Sequence, residues 1–516
     1  MPHLFLYGPP GTGKTTVGKV LAANLNLTFV DMDRLVETKA GLSIPEIMER
    51  KGESAFRELE ASVLSTLTNW SDSVIALGGG ALLREENRRI AEANGTVILL
   101  TANYETLLER VRRNPEKRPL LAGDVEKKLP ALLAQRESHY GSFPMQISVG
   151  GKSPEQNARE AQILLGRHRL SAMGEYDARV ESVEQIANLF RALDLKNPIL
   201  VTDENVARHH AGRVVESLLQ AGFNTPVVTL PAGESHKNLE TVDQLWHRFL
   251  EAGLDRRSTV IALGGGVVSD LAGFAASTYM RGVNWVALPT TLLAMADAAL
   301  GGKTGFDLPE GKNLIGSFYP PRLVLADPQM LKTLPERELR SGMAEVVKHG
   351  IIADPELFEM SARGTDWVRQ NLEQIVKRAM AVKIRIIEDD PYERGFRATL
   401  NLGHTVGHAV ELVSGFELLH GESIAIGLVT EARYAERIGL APSGLADRLA
   451  ATLSALGLPT EIPANLPRED LLRAMRVDKT KSAQSIRFAL PTQIGHVELE
   501  YVTELEEVIG TTSQRE

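Results

Sequence analysis

A chain of 516 residues is too long for one hydrophobic core and implies roughly two to four domains. Its 43% hydrophobic and 24% charged content is that of a globular protein, and no apolar run approaches the roughly 18 residues a membrane span needs. A net charge of −9 argues against a nucleic-acid surface, and the lack of cysteine excludes disulfides and thiolate metal sites, so any zinc must be held by His, Asp or Glu. The opening MPHLFLYGPPGTGK has no basic n-region and runs straight into a phosphate-binding loop, which reads as the mature start of a cytoplasmic enzyme.

Residues 1–165 alternate short apolar runs with helical patterns, placing strands at His3–Tyr7, Thr28–Val30, Val74–Leu77, Thr96–Leu100 and Gln146–Val149. Such βα alternation implies a parallel sheet. Residues 166–176, GRHRLSAMGEY, are polar and small without a clear apolar period, and read as a flexible linker. A second α/β pattern fills 177–327, with buried strands expected at Pro198–Thr202, Thr225–Leu230, Thr259–Leu263 and Trp285–Leu288. From 328 to 510 the pattern is mostly helical, interrupted by a strand pair at Ile486–Leu490 and His496–Tyr501. Residues 511–516 read as a frayed tail. The heptapeptide VIALGGG occurs at 74–80 and again at 260–266. In both places a buried strand opens into three glycines, where open α/β sheets bind ligands.

Gly8–Thr15 reads GPPGTGKT, a G-x-x-x-x-G-K-[ST] loop between a strand and a helix. Backbone N–H groups around Gly8, Gly11, Thr12 and Gly13 would cradle phosphates. Lys14 would reach the β/γ-phosphates and Thr15 would hold Mg²⁺, with Thr16 beside them at the helix N-terminus. Downstream lie Asp31 and Asp33 in D-x-D, Arg57 and Glu60 in FRELE, Gly78–Gly80, Arg118 in KRPLL and Arg136 in QRESHY. With this spacing the segment resembles shikimate kinase throughout. The resemblance implies that Asp33 orients the reacting hydroxyl or takes its proton, and that Asp31 acts on the Mg²⁺ shell. Arg57, Arg136 and the amides of Gly78, Gly79 and Gly80 would hold shikimate, and Arg118 would belong to a lid over the phosphates of ATP. Arginine forks suit a carboxylate, and phosphoryl transfer needs positioning and positive charge more than covalent chemistry. The rivals are a gluconate- or nucleotide-type kinase and a nucleotide-binding switch.

The second half is denser in chemistry. Glu345 and Lys348 stand in GMAEVVKHG, Lys383 in a helical stretch, Arg397, Asn401, His404 and His408 in RATLNLGHTVGHA, and His420 in LLHGE. A carboxylate and imidazoles from separate elements make a plausible catalytic zinc set. The residues alone leave the set open, because His404 and His408 share a helical face at i, i+4. Residues 177–510 resemble 3-dehydroquinate synthase, and that resemblance implies Glu345, His404 and His420 as ligands of zinc, with cobalt as an alternative, leaving His408 to substrate. It implies NAD-binding elements at Asp203, Glu234, Lys237, Gly264, Gly265, Gly266, Asp270, Thr290, Thr291, Asp297, Lys303 and Lys312, with no G-x-G-x-x-G fingerprint. The implied substrate pocket comprises Arg281, Asp297, Lys303, Asn313, Lys348, Lys383, Arg397, Asn401, His408 and Lys479, of which Lys348, Arg397, Lys303, Asn401 and His408 would be catalytic. Arg281 would reach in from a second subunit, making a homodimer.

So many cations suit a substrate with both a phosphate and a carboxylate, such as 3-deoxy-arabino-heptulosonate 7-phosphate. The implied reaction oxidises a hydroxyl with NAD⁺, eliminates phosphate, returns the hydride and closes a carbocycle by aldol addition. The rivals are a polyol dehydrogenase and a cyclase for a sugar phosphate without the carboxylate. The chain departs from the family pattern at Ala298 and Ala299, at Phe306-Asp307, and in DKTK, where both Lys479 and Lys481 stay open as phosphate ligands. It also shows no clear first strand pair around Arg179–Val183.

Overall fold

The structure, a computed structural model, describes residues 3–70, 72–113, 121, 123–309, 311–477, 481–482 and 485–510. The chain divides into two compact units, Met1–Arg169 and Leu170–Glu516.

The first unit begins with β1 (His3–Tyr7), five consecutive buried residues. It continues through α1 (Lys14–Asn24), β2 (Thr28–Asp31), α2 (Met32–Ala40), α3 (Ile44–Leu67), β3 (Ser73–Ala76), α4 (Glu85–Asn94), β4 (Gly95–Thr101), α5 (Tyr104–Arg112), α6 (Val125–Gly141), β5 (Gln146–Ser148) and α7 (Pro154–Leu165). The strands form a parallel sheet in the order β2-β3-β1-β4-β5. Separate apolar clusters form around Phe5, Tyr7 and Ile75 and around Leu4, Leu6 and Val74. Successive strand residues therefore feed opposite layers, the reason the strands read as unbroken apolar runs rather than alternating ones.

The second unit holds a seven-stranded sheet ordered β6-β7-β14-β11-β10-β8-β9. In chain order its elements are β6 (Arg167–Leu170), β7 (Tyr176–Val180), α8 (Ile186–Ala192), β8 (Lys196–Asp203), the single turn α9 (Glu204–Val206), α10 (Gly212–Gln220), β9 (Val227–Leu230), α11 (Leu239–Glu251), β10 (Ser258–Gly264), α12 (Gly266–Thr278) and β11 (Asn284–Pro289). An antiparallel ribbon, β12 (Lys303–Leu308) with β13 (Gly311–Phe318), precedes β14 (Leu323–Ala326). The helical part follows as α13 (Glu336–Ala353), α14 (Pro355–Ser361), α15 (Thr365–Gln370), α16 (Leu372–Asp389), α17 (His404–Val413), α18 (His420–Arg437), α19 (Leu445–Ala455) and α20 (Arg468–Val477). It closes with β15 (Lys481–Ser482), β16 (Ser485–Gln493), β17 (His496–Val502) and α21 (Leu505–Val508). One apolar cluster runs through this unit from Leu170 to Val508.

Three sequence expectations change. The stretch read as a linker contains β6 and the first residue of β7, because Arg167 and His168 are buried strand residues whose polarity hides the pattern. The missing first strand pair is thus present, displaced toward the N-terminus, and β7 pairs in parallel with β14. The ribbon β12–β13 also falls where no strand is expected, since KTGFDL and GKNLIGSF carry glycine and charge in place of a regular apolar period. Residues 511–516, read as a tail, lie outside the described residues.

Two close helix crossings position the chemistry. A Cβ on Gly421 would stand 1.9 Å from the Ser341 carbonyl oxygen, so α18 crosses α13 with backbones nearly touching. A Cβ on Gly427 would stand 1.9 Å from the Gly403 carbonyl oxygen, where α18 meets the start of α17. These glycines let three helices bring Glu345, His404 and His420 to one point.

Candidate active sites

In the first unit the phosphate loop joins β1 to α1. Gly8, Gly11 and Gly13 take φ of 135°, 90° and 84°, which turns the loop back on itself. Lys14 Nζ donates to the carbonyls of Gly8 at 2.7 Å and Pro9 at 3.1 Å. The Thr15 hydroxyl donates to Asp31 Oδ2 at 2.9 Å, the pairing a Mg²⁺ shell would use. The loop, the helix N-terminus and this pair fit Mg²⁺-ATP.

Asp33 opens α2 next to Asp31. Burial, reinforced by Asp31, raises its pKa to about 6, so it can take a proton near neutrality. Arg57 pairs with Glu60 at 2.8 Å and Glu53 at 3.1 Å. Arg136 and Tyr140 both donate to the Gly79 carbonyl, at 2.9 and 2.8 Å. A Cβ on Gly80 would lie 2.7 Å from Arg57 Nη2, and one on Gly78 would lie 3.0 Å from Asp33 Oδ1. Asp33, Arg57, Gly78–Gly80 and Arg136 therefore stand close together. Arg118 lies outside the described residues.

In the second unit Glu345, His404 and His420 each offer a ligand atom, all within 4.8 Å of one another. His404 Nδ1 lies 3.1 Å from the Leu402 carbonyl, and His420 Nδ1 lies 3.2 Å from Glu411 Oε2. Protons on both Nδ1 atoms satisfy those contacts and leave both Nε2 lone pairs facing Glu345 Oε1, at 3.5 and 3.4 Å. Three acceptors pointing inward fit a divalent cation. Without one, burial would lower the pKa of His420, but Glu345 and Glu411 outweigh burial and hold it up at about 9. Burial and Lys348 drive His404 well below its ordinary value. His408 is exposed, its ring centroid 5.1 Å from that of His404 and 5.8 Å from that of His420. His408, Glu411 and His420 also converge within ligand reach, but Glu345 is the deeper carboxylate, 1% exposed.

Beside this triad stands a buried cation cluster. Asp297 Oδ1 receives Lys383 Nζ at 2.6 Å, with Lys348 Nζ at 3.9 Å and His349 Nε2 at 3.5 Å. Lys348 also pairs with Glu345. Burial would raise the pKa of Asp297, yet Lys383 and Lys348 hold it well below the usual carboxylate range. Burial lowers Lys383 to about 8, partly offset by Asp297. Arg397 is 1% exposed, and its Nε and Nη2 are unpartnered. Lys303 pairs with Glu393, which also accepts from Asn401 Nδ2 at 3.2 Å.

Of the expected NAD elements, Asp203 stands at the carboxyl end of β8 and Gly264–Gly266 at that of β10. Gly264 ends β10, Gly265 caps α12 and Gly266 begins it, a strand–glycine–helix cradle suited to a pyrophosphate. Thr290 N–H donates to the Gly264 carbonyl at 2.9 Å, and a Cβ on Gly265 would meet Thr291 Cγ2 at 3.1 Å. Lys237 is buried against Asp270 at 2.7 Å and Asn313 at 2.5 Å. Lys312 joins Glu234 at 3.4 Å and Glu411 at 3.0 Å. Asp203 caps its own helix, accepting from Asn205 and Val206 N–H groups. Arg281 is exposed at φ 68°. Lys479 lies outside the described residues, as does the side chain of Lys481.

Sequence reading assigned no role to Glu411, Glu393, Glu431, His349 or Tyr140. Glu411 carried a signal: it falls seven residues after His404 and three after His408, on the same helical face. Buried Glu431 accepts from the N–H groups of Gly403 at 2.6 Å and Val406 at 3.3 Å, fixing the start of α17 and with it His404.

Models of known families cover most of the chain. The shikimate kinase model matches residues 10–165. The 3-dehydroquinate synthase N-terminal and C-terminal models match 227–341 and 342–481. The 3-dehydroquinate synthase of Nostoc punctiforme is 45% identical over 321 residues, covering 61% of this chain and 88% of that protein. The chain belongs to the 3-dehydroquinate synthases and carries a shikimate kinase domain ahead of the synthase. Solved structures similar to the synthase part include 2-deoxy-scyllo-inosose synthase complexed with carbaglucose-6-phosphate, NAD⁺ and Co²⁺, at TM-score 0.62 and 26% identity over 66% of this chain and 99% of that one. Another is the 2-epi-5-epi-valiolone synthase of Streptomyces hygroscopicus with NAD⁺ and Zn²⁺ bound, at TM-score 0.58 and 30% identity over 64% of this chain and 92% of that one. No helix among the described residues is long and apolar enough to cross a membrane.

Proposed function

We propose that the first unit phosphorylates shikimate with Mg²⁺-ATP, and that the second converts 3-deoxy-arabino-heptulosonate 7-phosphate into 3-dehydroquinate and phosphate with NAD and zinc or cobalt. Both reactions belong to the route to chorismate and the aromatic amino acids. The observation that carries the synthase reading is Lys348 and Lys383 gathered on Asp297, with the buried Arg397 within electrostatic reach, beside the Glu345–His404–His420 triad. Lys348 and Lys383 are paired with Glu345 and Asp297, whereas the buried Arg397 keeps two N–H donors unpartnered, which suits a substrate bringing its own carboxylate.

In the kinase, Arg57 and Arg136 hold the shikimate carboxylate and Asp33 takes the proton of the attacking hydroxyl. Lys14 and the loop amides hold the phosphates in line, and Arg118 contributes charge from the lid. In the synthase, Glu345, His404 and His420 hold the cation, while Gly264–Gly266, Asp270 and Lys237 hold NAD. When bound, the ion polarises substrate hydroxyls and NAD accepts and returns a hydride, chemistry that no side chain here supplies. Arg397 and Lys383 bind the carboxylate. Lys303, Asn313 and His408 take the phosphate end, where charge builds as phosphate departs. Asp297 holds Lys383 and Lys348 in place and offsets part of the burial that acts against the charge on Lys383. A homodimer belongs to the same reading, with Arg281 completing a neighbour's pocket, as does a cytoplasmic location where these charged metabolites are made.

The test is the purified full chain given each substrate separately, with and without a chelator. Shikimate 3-phosphate should form from ATP, and phosphate release from the heptulosonate should be lost on chelation. A clear preference for a sugar phosphate without a carboxylate would replace the synthase reading with that of the cyclases of similar fold.

A further inference from the structure

The segment between β6 and β7 is fastened more firmly than a connector requires. Ser171 donates its N–H to Glu388 Oε1 at 2.8 Å and its hydroxyl to Oε2 at 3.1 Å, and Ala172 N–H reaches Oε1 at 3.0 Å. Glu388 lies on α16, the helix that also carries Lys383. Further along, Arg397 Nη1 donates to the Met173 sulfur at 3.7 Å and to the Pro391 carbonyl. The Tyr176 hydroxyl, in a side chain 2% exposed, accepts the Gly301 N–H at 3.2 Å. A Cβ on Gly301 would stand 2.6 Å from Arg397 Nη2, so this backbone lies directly against the guanidinium.

Arg397 is thus held at Nη1 by Met173 and Pro391, with the Gly301 backbone packed against Nη2, and Tyr176 pins Gly301. The unpartnered Nε and Nη2 are the two nitrogens of one edge of the guanidinium, the edge that matches a carboxylate bidentately. Leaving buried donors open is costly unless a ligand closes them, and a long side chain left loose would forfeit the geometry a fork needs. The same loop runs through Gly302 into Lys303, so the tyrosine contact also sets where that lysine starts.

We propose that Met173 and Tyr176, at the start of the second unit, are positioning residues of the synthase that hold Arg397 and the Gly301–Lys303 loop ready for the substrate carboxylate. This rests on the reading of Arg397 as a substrate ligand. It means that the synthase pocket begins immediately after the kinase domain, with Gly166 capping α7 and β6 starting at the next residue.

The test uses the full chain with Tyr176→Phe, Met173→Ala and Met173→Leu, following synthase KM and kcat, kinase rate and melting temperature. Tyr176→Phe and Met173→Ala should each raise KM for the heptulosonate about tenfold, with kcat within about threefold and the kinase rate unchanged. Met173→Leu restores bulk and should bring KM back to within about threefold of wild type. Should Met173→Ala fold poorly, Tyr176→Phe, which keeps the ring, decides the matter. A KM unchanged in Tyr176→Phe, or a fall in kcat alone, overturns the positioning role while leaving the function intact. Absence of wild-type turnover with the heptulosonate sinks the proposed function and this inference with it.

Discussion

Gly80→Ala offers a sharp test of the kinase pocket, because it displaces Arg57 without touching it chemically. A Cβ at this position would lie 2.7, 2.8 and 3.0 Å from Nη2, Nη1 and Cζ of Arg57. Ordinary contact begins near 3.5 Å, so the guanidinium must recede by about 0.8 Å. The 2.8 Å bond to Glu60 then stretches to about 3.6 Å and ceases to be a hydrogen bond. Gly80 does not sit at a positive φ, and the clash is with the far end of a flexible side chain, so the fold should survive. The cost falls on the acceptor: losing the fork on a carboxylate is worth about 2–3 kcal/mol. At about 1.4 kcal/mol per tenfold, KM for shikimate should rise about 30- to 150-fold. The assay varies shikimate at saturating ATP and then ATP at saturating shikimate. KM for ATP should stay within about threefold, and the melting temperature within a few degrees. A shikimate KM close to wild type, or an equal rise for ATP, would refute the placement of Arg57 at the carboxylate.

Asp33 should set the acid limb of the kinase. With its pKa raised to about 6, activity should fall as pH drops through 6, and in Asp33→Asn the residual rate should lose that limb. Because the folded state holds this proton more tightly than the unfolded chain, Asp33 costs stability as pH rises from its ordinary range through 6; Asp33→Asn should therefore melt higher above that pH, which thermal unfolding at pH 5 and 8 would check. One divalent ion per chain is expected from elemental analysis; Glu345→Gln and His420→Ala should empty the site, whereas His408→Ala should keep about one, and loss of metal in His408→Ala would favour the i, i+4 pair. Lys14→Ala should silence phosphorylation and leave the synthase rate unchanged, while Glu345→Ala does the reverse. A synthase rate that responds to ATP or shikimate would instead reveal coupling between the sites.

The sequence alone determined much of this protein, because some chemistry demands contiguous residues. A phosphate loop must be a run of glycines ending in Lys14 and Thr15, since successive backbone N–H groups do the binding. The buried parallel strands of both sheets were legible for the same reason, as unbroken apolar runs such as His3–Tyr7 and Thr259–Leu263. His404 and His420 announced themselves in glycine-bearing motifs, and the glycines prove to be where α18 presses against its neighbours. Tertiary structure decided what contiguity cannot encode. Periodicity took residues 166–176 for a tether, because Arg167 and His168 are polar and their burial in the edge strand beside β7 leaves no apolar pattern to read. Glu411 and Glu393 had no role in the sequence reading until folding set one, nearly buried, against His420 and the other against the exposed Lys303. Met173 and Tyr176 look like ordinary apolar side chains, and only the fold brings one to the guanidinium of Arg397 and the other to the backbone behind it. Residue type declares what chemistry a side chain can perform, but a low-dielectric neighbourhood decides which groups perform it, and that neighbourhood is assembled from segments hundreds of residues apart.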